Sequence, residues 1–365
     1  MPARPPFRAD RPRHRVRDLS RRLAALGAAA ALAACSGPQP TAPTSAPAAR
    51  GDVHRVSVTD LGTLGEGVTS YAYDVNRAGQ VVGYSTTDGI NSQTRHAFLW
   101  QHGQMRDLGT LDGGSWSEAR GINASGQVTG LSANESGLAH AFLWQHGTMT
   151  SLGTLGGAFS EAFAINRSGE VVGMSPTRGG EIHAFLWSNG SMTDLGTLGG
   201  ANSEAYAINA AGDVAGWSET ADGSNHAFLW HDGVMEDLGA LADASESRGA
   251  GIGPRGEVVG DSWTGQRSLA THAFLFQNDE MTGLEGLGGP VSQAKDMDRR
   301  GRVVGFGITS DNQAHAILWS AGTAIDLGTL PGGFGSQAMA IDAAGDIAGW
   351  RDNGRFSHAV LWTVR

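Results

Sequence analysis

Seven histidines recur along the chain, and histidine is the residue type that most readily suggests metal binding or proton transfer. Each begins the same word, His-Ala-apolar-apolar-aromatic, and successive copies start 43 to 46 residues apart: His96, His140, His183, His226, His272, His315 and His358. A metal ion needs three or four ligands around one centre. One histidine per repeat distributes the rings among separate units, so we interpret each as a scaffold residue that hydrogen-bonds a connection of its own unit. We predict no metal site and no cofactor.

A second recurring position follows a serine that is present in every copy: Ser70, Ser117, Ser160, Ser203, Ser247, Ser292 and Ser336. The next residue varies, and two copies carry an aromatic residue before the serine, so that the candidate binding residues are Tyr71, Trp116, Glu118, Phe159, Glu161, Glu204, Arg248, Gln293 and Gln337. Carboxylates and amides hydrogen-bond hydroxyl groups, and aromatic faces stack on sugars. We therefore predict a glycan or protein ligand here; the alternative is that Ser-Glu is only a solvated turn.

Glu118, Glu161 and Glu204 could supply a carboxylate pair for acid–base work on a glycosidic bond. They occupy equivalent places in neighbouring repeats, however, and a catalytic pair needs environments that separate the two pKa values. No nucleophile elbow, phosphate-binding loop or catalytic triad stands out from the repeat. We assign no catalytic residue, and a hydrolase or lyase is the alternative function.

A repeat of about 43 residues has the size of four short strands with tight turns, which is one blade of a propeller. In the copy beginning at Ser160 we predict strands over 161–165, 170–175, 183–187 and 192–198. The Asn or Asp at the first turn of six copies is interpreted as a turn former: Asn76, Asn123, Asn166, Asn209, Asp298 and Asp342. The Asp of each Asp-Leu-Gly word is expected to cap a turn.

The side chains of the middle strands fit this arrangement. His-Ala-Phe-Leu-Trp does not alternate polar with apolar residues, which is typical of strands buried on both faces. Glycine follows the apolar pair of the second strand in every copy: Gly83, Gly130, Gly173, Gly216, Gly260, Gly305 and Gly349. A recurring glycine inside a strand indicates a bulge or a close approach of two backbones.

The two ends of the repeat region suggest a closed ring. The last copy ends after its third strand at Trp362, while an orphan fourth strand, 53–64, precedes the first copy. We predict an all-β fold, a seven-bladed β-propeller of four-stranded antiparallel blades over 52–365. Because closure protects strand edges, we expect the N-terminal strand to complete the last blade.

The repeated words resemble those of the bacterial extracellular HAF repeat family. The His-Ala-Phe word is joined by Asp-Leu-Gly-Thr-Leu-Gly-Gly, which is intact at Asp194–Gly200, and the resemblance covers nearly all of the chain after residue 52. The fifth and sixth copies depart from it at Gly253, Phe276 and Gly283. The resemblance implies an exported protein and implies no settled activity, substrate or catalytic residue.

The N-terminal segment is basic from Arg4 to Arg22 and apolar from Leu23 to Ala34, which fits a secretory signal peptide over 1–34. Leu32-Ala33-Ala34-Cys35 looks like a lipobox, so Cys35, the one cysteine, is expected to carry a lipid; the alternative is a buried thiol. Residues 35–51 then form a disordered tether. The export route, Sec or twin-arginine, stays open. Ser36 after the cysteine suggests the outer membrane or the cell surface.

Composition excludes some classes of partner. The formal net charge of −10 argues against nucleic-acid and anionic-lipid surfaces, and no apolar run is long enough to cross a bilayer. We expect a monomer that touches the membrane through its lipid alone. Its predicted role is that of a non-enzymatic binding or scaffolding module of the cell envelope; a purely structural surface protein is a further alternative.

Overall fold

The computed structural model describes residues 56–89, 94–264, 270–329 and 333–364. The signal segment 1–34, Cys35 and the tether 35–51 lie outside the described residues, so the predictions made for them stay predictions. Within the described ranges the regular structure consists of strands and turns, and none of it is a helix long and apolar enough to cross a membrane.

Each of the first six sequence copies folds into four short antiparallel strands. The first three copies contain β2 (Ser70–Val75), β3 (Val81–Thr86), β4 (Arg95–Gln101), β5 (Gln104–Asp107), β6 (Ser117–Ile122), β7 (Val128–Ala133), β8 (Ala139–Gln145), β9 (Thr148–Ser151), β10 (Glu161–Ile165), β11 (Val171–Pro176), β12 (Ile182–Ser188) and β13 (Ser191–Asp194). They follow β1 (Val56–Asp60). The fourth strand is shorter than predicted, because Asp194 turns the chain by accepting a hydrogen bond from the N–H of Gly196 (2.8 Å).

The later copies repeat the pattern. They contain β14 (Gly199–Ile208), β15 (Val214–Thr220), β16 (Asn225–His231), β17 (Val234–Asp237), β18 (Glu246–Ile252), β19 (Val258–Trp263), β20 (Thr271–Gln277), β21 (Glu280–Gly283), β22 (Gly288–Met297), β23 (Val303–Thr309), β24 (Ala314–Ser320), β25 (Thr323–Gly328), β26 (Ser336–Ile341), β27 (Asp346–Asp352) and β28 (Ser357–Val364). The fifth and sixth copies share one eight-stranded sheet through a single parallel pair, Thr271 with Val291.

The last copy obtains its fourth strand from the start of the repeat region. β1 pairs antiparallel with β28, and the register runs from Val56 opposite Val364 to Asp60 opposite Val360. The resulting sheet has the order β1-β28-β27-β26. The first strands of successive copies contact one another, and β2 of the first copy also contacts β26 of the last.

The hydrophobic core lies between neighbouring sheets, so that the middle strands are buried on both faces as predicted. One cluster joins Leu143 of β8 and Phe185 of β12 to Ala162 and Val171. The phenylalanines of the repeated word are fully buried: Phe98, Phe142, Phe185, Phe228 and Phe274.

The recurring glycine of the second strand is required by a close approach of two backbones. At Gly173 an added Cβ would lie 1.9 Å from the carbonyl oxygen of Glu161 in the neighbouring strand. The other six copies show the same approach at 1.8–2.0 Å, to the residue that follows the serine. A side chain at this position would therefore push the first and second strands of its copy apart.

The repeated serine fastens one copy to the next. Ser160 is fully buried; its Oγ accepts a hydrogen bond from the N–H of Ala141 (2.9 Å) and donates one to the carbonyl of Gly153 (2.6 Å). The same arrangement links the two ends of the repeat region, since Ala359 of β28 donates to Ser70 (2.9 Å). The interpretation of Ser-Glu as a solvated turn is wrong, because the serine is sealed between two sheets.

The first-turn asparagines form turns and also connect copies. Asn166 Oδ1 accepts hydrogen bonds from the N–H groups of Ser168 and Glu170, while its Nδ2 donates to the carbonyl of Asn209 in the next copy (3.2 Å). The positive φ that this turn needs is supplied by Gly169. Asn166 therefore acts through its side-chain amide.

Candidate functional site

The repeated histidines have local partners. In five copies Nδ1 is bound to the carboxylate of the Asp-Leu-Gly word at 2.8–2.9 Å: His96 to Asp107, His183 to Asp194, His226 to Asp237, His315 to Asp326 and His358 to Asp60. His140 has Ser151 instead, and in the fifth copy Gly283 replaces the carboxylate opposite His272. The imidazole thus holds the connection that follows the fourth strand of its sheet, as predicted from the sequence.

These histidines do not gather around a common point. Among the residues that the structure describes, no group of three or more His, Cys, Asp and Glu side chains is arranged to hold a metal ion. The chemistry of the molecule must therefore be sought at positions where the copies differ.

The first strand of every copy carries a β-bulge after its third residue, counted with the repeated serine as residue one, as between Ala162 and Ala164. A bulge redirects the side chain of its extra residue and occurs often beside functional sites. We define the inner-strand surface as residues two and four in this count, together with the second-strand residue opposite residue two. Its members are Tyr71, Tyr73, Tyr84, Glu118, Arg120, Leu131, Glu161, Phe163, Met174, Glu204, Tyr206, Trp217, Arg248, Ala250, Asp261, Gln293, Lys295, Phe306, Gln337, Met339 and Trp350.

An ionic network crosses this surface from the first to the third copy. Glu118, only 6% exposed, accepts from Arg95 Nε (2.5 Å) and from Arg120 Nη2 (2.8 Å). The same Nη2 of Arg120 lies 3.3 Å from Oε1 of Glu161. Its guanidinium covers the ring of Tyr73 at 4.3 Å, and its Nε is buried with no hydrogen-bond partner among the described residues. One arginine therefore holds two carboxylates and keeps a donor unused.

The carboxylates of the second and third copies have different environments. Burial, together with the charges of Glu118 and Glu204, raises the pKa of Glu161 from 4.5 to about 7, although Arg120 opposes the shift. Glu118, by contrast, is held by two arginines. The expectation of equivalent environments is wrong, because the residues at the fourth position and on the second strand differ from copy to copy.

The fourth copy adds a chain of hydrogen bonds. Trp217 Nε1 donates to the hydroxyl of Tyr206 (3.3 Å), which donates to Glu204 Oε2 (2.5 Å). Burial raises the pKa of Glu204, and the bond from Tyr206 works against this shift. Phe163 of the preceding copy packs against Tyr206 at 4.9 Å between ring centroids. This carboxylate is thus oriented by neutral donors.

Aromatic rings form the wall on the other side of the network. Tyr71 packs on Tyr84 (5.1 Å) and edge-on against Trp350 of the last copy (5.6 Å), and Tyr73 lies 6.0 Å from Tyr84. All four tyrosines of the chain belong to the inner-strand surface: Tyr71, Tyr73, Tyr84 and Tyr206. The repeated core uses Phe and Trp, so tyrosine is reserved for this one surface.

The two aromatic candidates that precede the serine lie beside the surface and not on a strand of it. Trp116 packs under the guanidinium of Arg95 at 4.7 Å, which joins it to the ionic network. Phe159 is partly exposed in the connection before β10, and its carbonyl accepts from Ser175 (3.0 Å). Trp116 thus belongs to the candidate site through Arg95, while Phe159 lies in the connection that precedes β10.

In the fifth to seventh copies the inner-strand surface carries arginine, lysine and glutamine side chains. Arg248 Nη2 donates to both oxygens of Asp261 (2.9 and 3.1 Å), and Lys295 Nζ donates to Gln293 Oε1 (2.9 Å). Burial, and after it the charge of Arg248, lowers the pKa of Lys295 to about 8. Gln337 lies on β26 of the last copy and is partly exposed.

Two further carboxylates lie next to the bulge and serve the fold. Asp74 accepts from the N–H of Ile122 in the next copy (2.7 Å), and Asp296 accepts from the N–H of Ile341 (2.9 Å). Burial raises the pKa of Asp74 to about 8 and that of Asp296 to about 6. Their oxygens are engaged by backbone donors, so they bind copies together.

Sequence reasoning missed the fourth-position residues, among them Arg120, Tyr206 and Lys295, and the second-strand partners such as Asp261. The signal was present, since residues two apart in a strand point to the same side and the fourth position varies as much as the second. What the sequence did not reveal is the bulge, which depends on how the two strands pair.

A separate concavity of about 470 Å³ lies among the turns of the fourth and fifth copies, with Glu236, Arg255 and Phe276 in its wall. Arg255 is paired there with Glu257 (2.7 Å from Nε). It shares no residue with the inner-strand surface. Because its arginine is already paired and none of the varied first-strand positions lines it, we place the candidate site at the inner-strand surface.

Among solved structures, the chain is similar to the β-propeller domain of the Trilobed protease from Pyrococcus furiosus, which has an open velcro topology. The identity is 11%, the match covers 80% of this chain and 95% of that one, and the TM-score is 0.58. This chain has the β-propeller fold. The blades of this fold surround a central channel, and in this chain the first strands, which carry the inner-strand surface, contact one another from copy to copy.

Two enzymes give similar matches. Oligogalacturonate lyase from Vibrio parahaemolyticus is 10% identical over 86% of this chain and 95% of that one, with a TM-score of 0.55. Acylaminoacyl peptidase from Pyrococcus horikoshii is 13% identical over 80% of this chain and 51% of that one, with a TM-score of 0.52. No protein-family model matches, and comparison with curated proteins finds no relative. At these identities the likeness concerns the fold alone.

Proposed function

We propose that the protein is an exported β-propeller that binds a glycan at the inner-strand surface without transforming it. The observation that carries the proposal is the concentration of all four tyrosines, three glutamates and three cations on strands whose other residues are repeated. Aromatic faces pack on the apolar faces of sugars, while carboxylates and amides bind their hydroxyl groups. Arg120 offers an unused buried donor to such a ligand.

The propeller is proposed to be a closed ring of seven blades, one from each sequence copy. This is supported by the pairing of β1 with β28 and by the contact of β2 with β26. It is supported as well by the bonds from Ala359 to Ser70 and from His358 to Asp60, which join residues almost 300 positions apart. A closed ring would place the whole inner-strand surface around one channel.

We propose further that the chain is a member of the HAF repeat family and is anchored in the envelope, at the outer membrane or cell surface, by a lipid on Cys35. The support is the repeated word and the lipobox-like Leu32–Cys35. Mass spectrometry of the mature protein tests the anchor: we expect a diacylglyceryl mass on residue 35 that Cys35→Ala lacks. An unmodified cysteine would refute it.

An acid–base enzyme is the second candidate, because Glu161 has a pKa near 7 while Glu118 is held by two arginines. Such separated environments are what paired catalytic carboxylates need. Against it, Arg120 Nη2 contacts both carboxylates and occupies the place that a glycosidic bond would need. The neighbouring folds include a lyase and a peptidase, so the fold does not choose between the functions.

The test is a glycan array read for binding and for product in parallel, using Trp116→Ala, the single Gln variants of Glu118, Glu161 and Glu204, and Val234→Ala as an exposed control. We expect wild-type binding without turnover, weakened roughly tenfold or more by Trp116→Ala and unchanged by the control. Product that disappears with one Gln variant would establish the enzyme. If neither binding nor product is detected, both candidates are refuted and the structural surface protein remains.

A further inference from the structure

Lys295 is a cation of the inner-strand surface with an unusual setting. It is the bulge residue of β22, where Ala294 and Asp296 flank the shift in register. Its Nζ donates to Gln293 Oε1 (2.9 Å) and lies 5.6 Å from the centre of the Phe306 ring. The side chain is surrounded by protein but partly exposed at the surface. Lys295 therefore keeps part of its accessible surface, which a ligand can contact.

The carboxylates near Lys295 already have partners. The neighbouring copy provides Asp261, whose side chain is 2% exposed and whose two oxygens both accept from Arg248. Asp296, next in sequence, accepts from the N–H groups of Met297 and Ile341. In the part of the chain that the structure describes, no carboxylate forms an ion pair with Lys295.

We propose that Lys295 binds the carboxylate of an acidic sugar residue, so that the glycan of the proposed function is a uronic-acid-containing one. This inference rests on that function and assigns the chemical class of its ligand. A carboxylate carries the single negative charge that pairs with the ammonium group of Lys295. Gln293 accepts from Lys295 through Oε1, which leaves its Nε2 to donate a second hydrogen bond to the ligand. Phe306 offers an apolar face beside it.

A phosphate fits this position less well. It carries up to two negative charges at neutral pH, and arginine is the side chain that holds it by paired hydrogen bonds. Here Arg248 is engaged by Asp261, and Lys295 is a single point charge. Lysine with a neutral amide neighbour is suited to a monoanion.

The probes are trigalacturonate and its methyl ester, which have the same sugars with and without charge, titrated by calorimetry at pH 6.5. We expect wild type to prefer the acid by roughly tenfold or more, because a hydrogen bond to a charged group is stronger than a neutral one. Lys295→Met should bind both probes equally, and Lys295→Arg should keep part of the preference. Raising the salt concentration should reduce the preference for the acid in wild type alone.

A pH series on wild type provides a test that needs no variant. The preference for trigalacturonate should fall as the pH rises from 7 to 9, because Lys295 loses its charge near pH 8 while Arg248, the other cation of this group, keeps its charge. Asp296, next in sequence, has a pKa of about 6, so it is already mostly ionised in this interval and adds little change of its own.

The outcomes separate this inference from the function on which it rests. If neutral glycans bind and the acid is not preferred, or if Lys295→Met keeps the preference, the inference fails and the glycan-binding function stands. If no glycan of either kind binds, both fail. Tighter binding of a sulfated trisaccharide or of an aspartate-rich peptide than of trigalacturonate overturns the assignment to a sugar acid.

Discussion

At the seams between neighbouring sheets most copies use the same residues, whereas on the inner-strand surface no two copies present the same set. Ser160 and Asn166 have equivalents that make the same bonds in other copies. On the inner-strand surface, Tyr71, Glu118, Arg248 and Gln337 occupy one and the same repeat position. Residues that hold copies together are constrained by a geometry that recurs; residues facing a ligand are not.

The two regions also contribute differently to the stability of the fold. The seams bury apolar groups and satisfied hydrogen bonds, which stabilise the fold. The inner-strand surface instead confines carboxylates such as Glu161 and a lysine, whose shifted pKa values show that ionisation is disfavoured there. Seam variants should therefore lower stability, and neutralising a buried charge on the inner-strand surface should raise it.

The largest expected effect concerns the seam between the ends of the repeat region. A chain that begins at residue 65 lacks β1 and exposes the edge of β28, including Trp362, which is fully buried in the intact protein. We expect its thermal midpoint to fall by roughly 10 °C or more and its unfolding to lose cooperativity. The control begins at residue 52 and keeps β1. Equal, cooperative melting of the two chains would show that the last copy does not need the borrowed strand.

A smaller but still large effect is expected from Gly173→Ala. The added methyl group would meet the carbonyl oxygen of Glu161 at 1.9 Å, and neither backbone can move without breaking its strand pairing. We expect a loss of about 3 kcal/mol in the free energy of unfolding, measured in denaturant. Gly89→Ala, where no atom lies within 4 Å, is the matched control and should be neutral. Similar losses of stability in the two variants would show that the close approach of the backbones does not explain the glycine.

On the inner-strand surface, Glu161→Gln should stabilise the protein in a pH-dependent way. The folded-state pKa of about 7 exceeds the ordinary 4.5, so the folded protein holds this proton more tightly and ionisation favours unfolding. The gain should be absent near pH 4.5, grow up to pH 7 and level off on the order of 2 kcal/mol above it. Exposed Glu135→Gln is the control. A gain in the free energy of unfolding of the same size at pH 4.5 and at pH 8 would contradict the burial of the Glu161 charge.

The smallest effect is expected for the histidines. The bond to Asp107 raises the pKa of His96, so its contribution to stability is fully present below its ordinary value and is lost as the pH rises through the raised one. His96→Gln should cost about 0.5 kcal/mol at pH 6 and less at pH 9, since Asp107 is 44% exposed and water screens the pair. His272→Gln, which lacks a carboxylate opposite, should show no such pH dependence. Equal behaviour of the two variants would argue against the pairing.

These predictions draw on features that the sequence made visible to different degrees. The strands of the repeat, the close approach at Gly173 and the local role of the histidines followed from words that recur at a fixed spacing. The candidate residues Tyr71, Glu118, Glu161, Glu204, Arg248 and Gln293 were selected because they vary at one position of that repeat. They lie on first strands that contact one another, and their binding role stays a prediction. Phe159 was less well placed, since it lies in the connection before its strand.

The sequence by itself determined what each copy must do alone: form four strands, turn at asparagine and glycine, and bury both faces of the middle strands. Period and turn chemistry are local, so they can be read along the chain. Tertiary structure decided which side chains meet across copies. The bulge turns Arg120 between Glu118 and Glu161, and the pairing of Arg248 with Asp261 leaves Lys295 without an ion pair among the described residues. Such meetings depend on distances between residues far apart in sequence, which a repeat pattern does not contain.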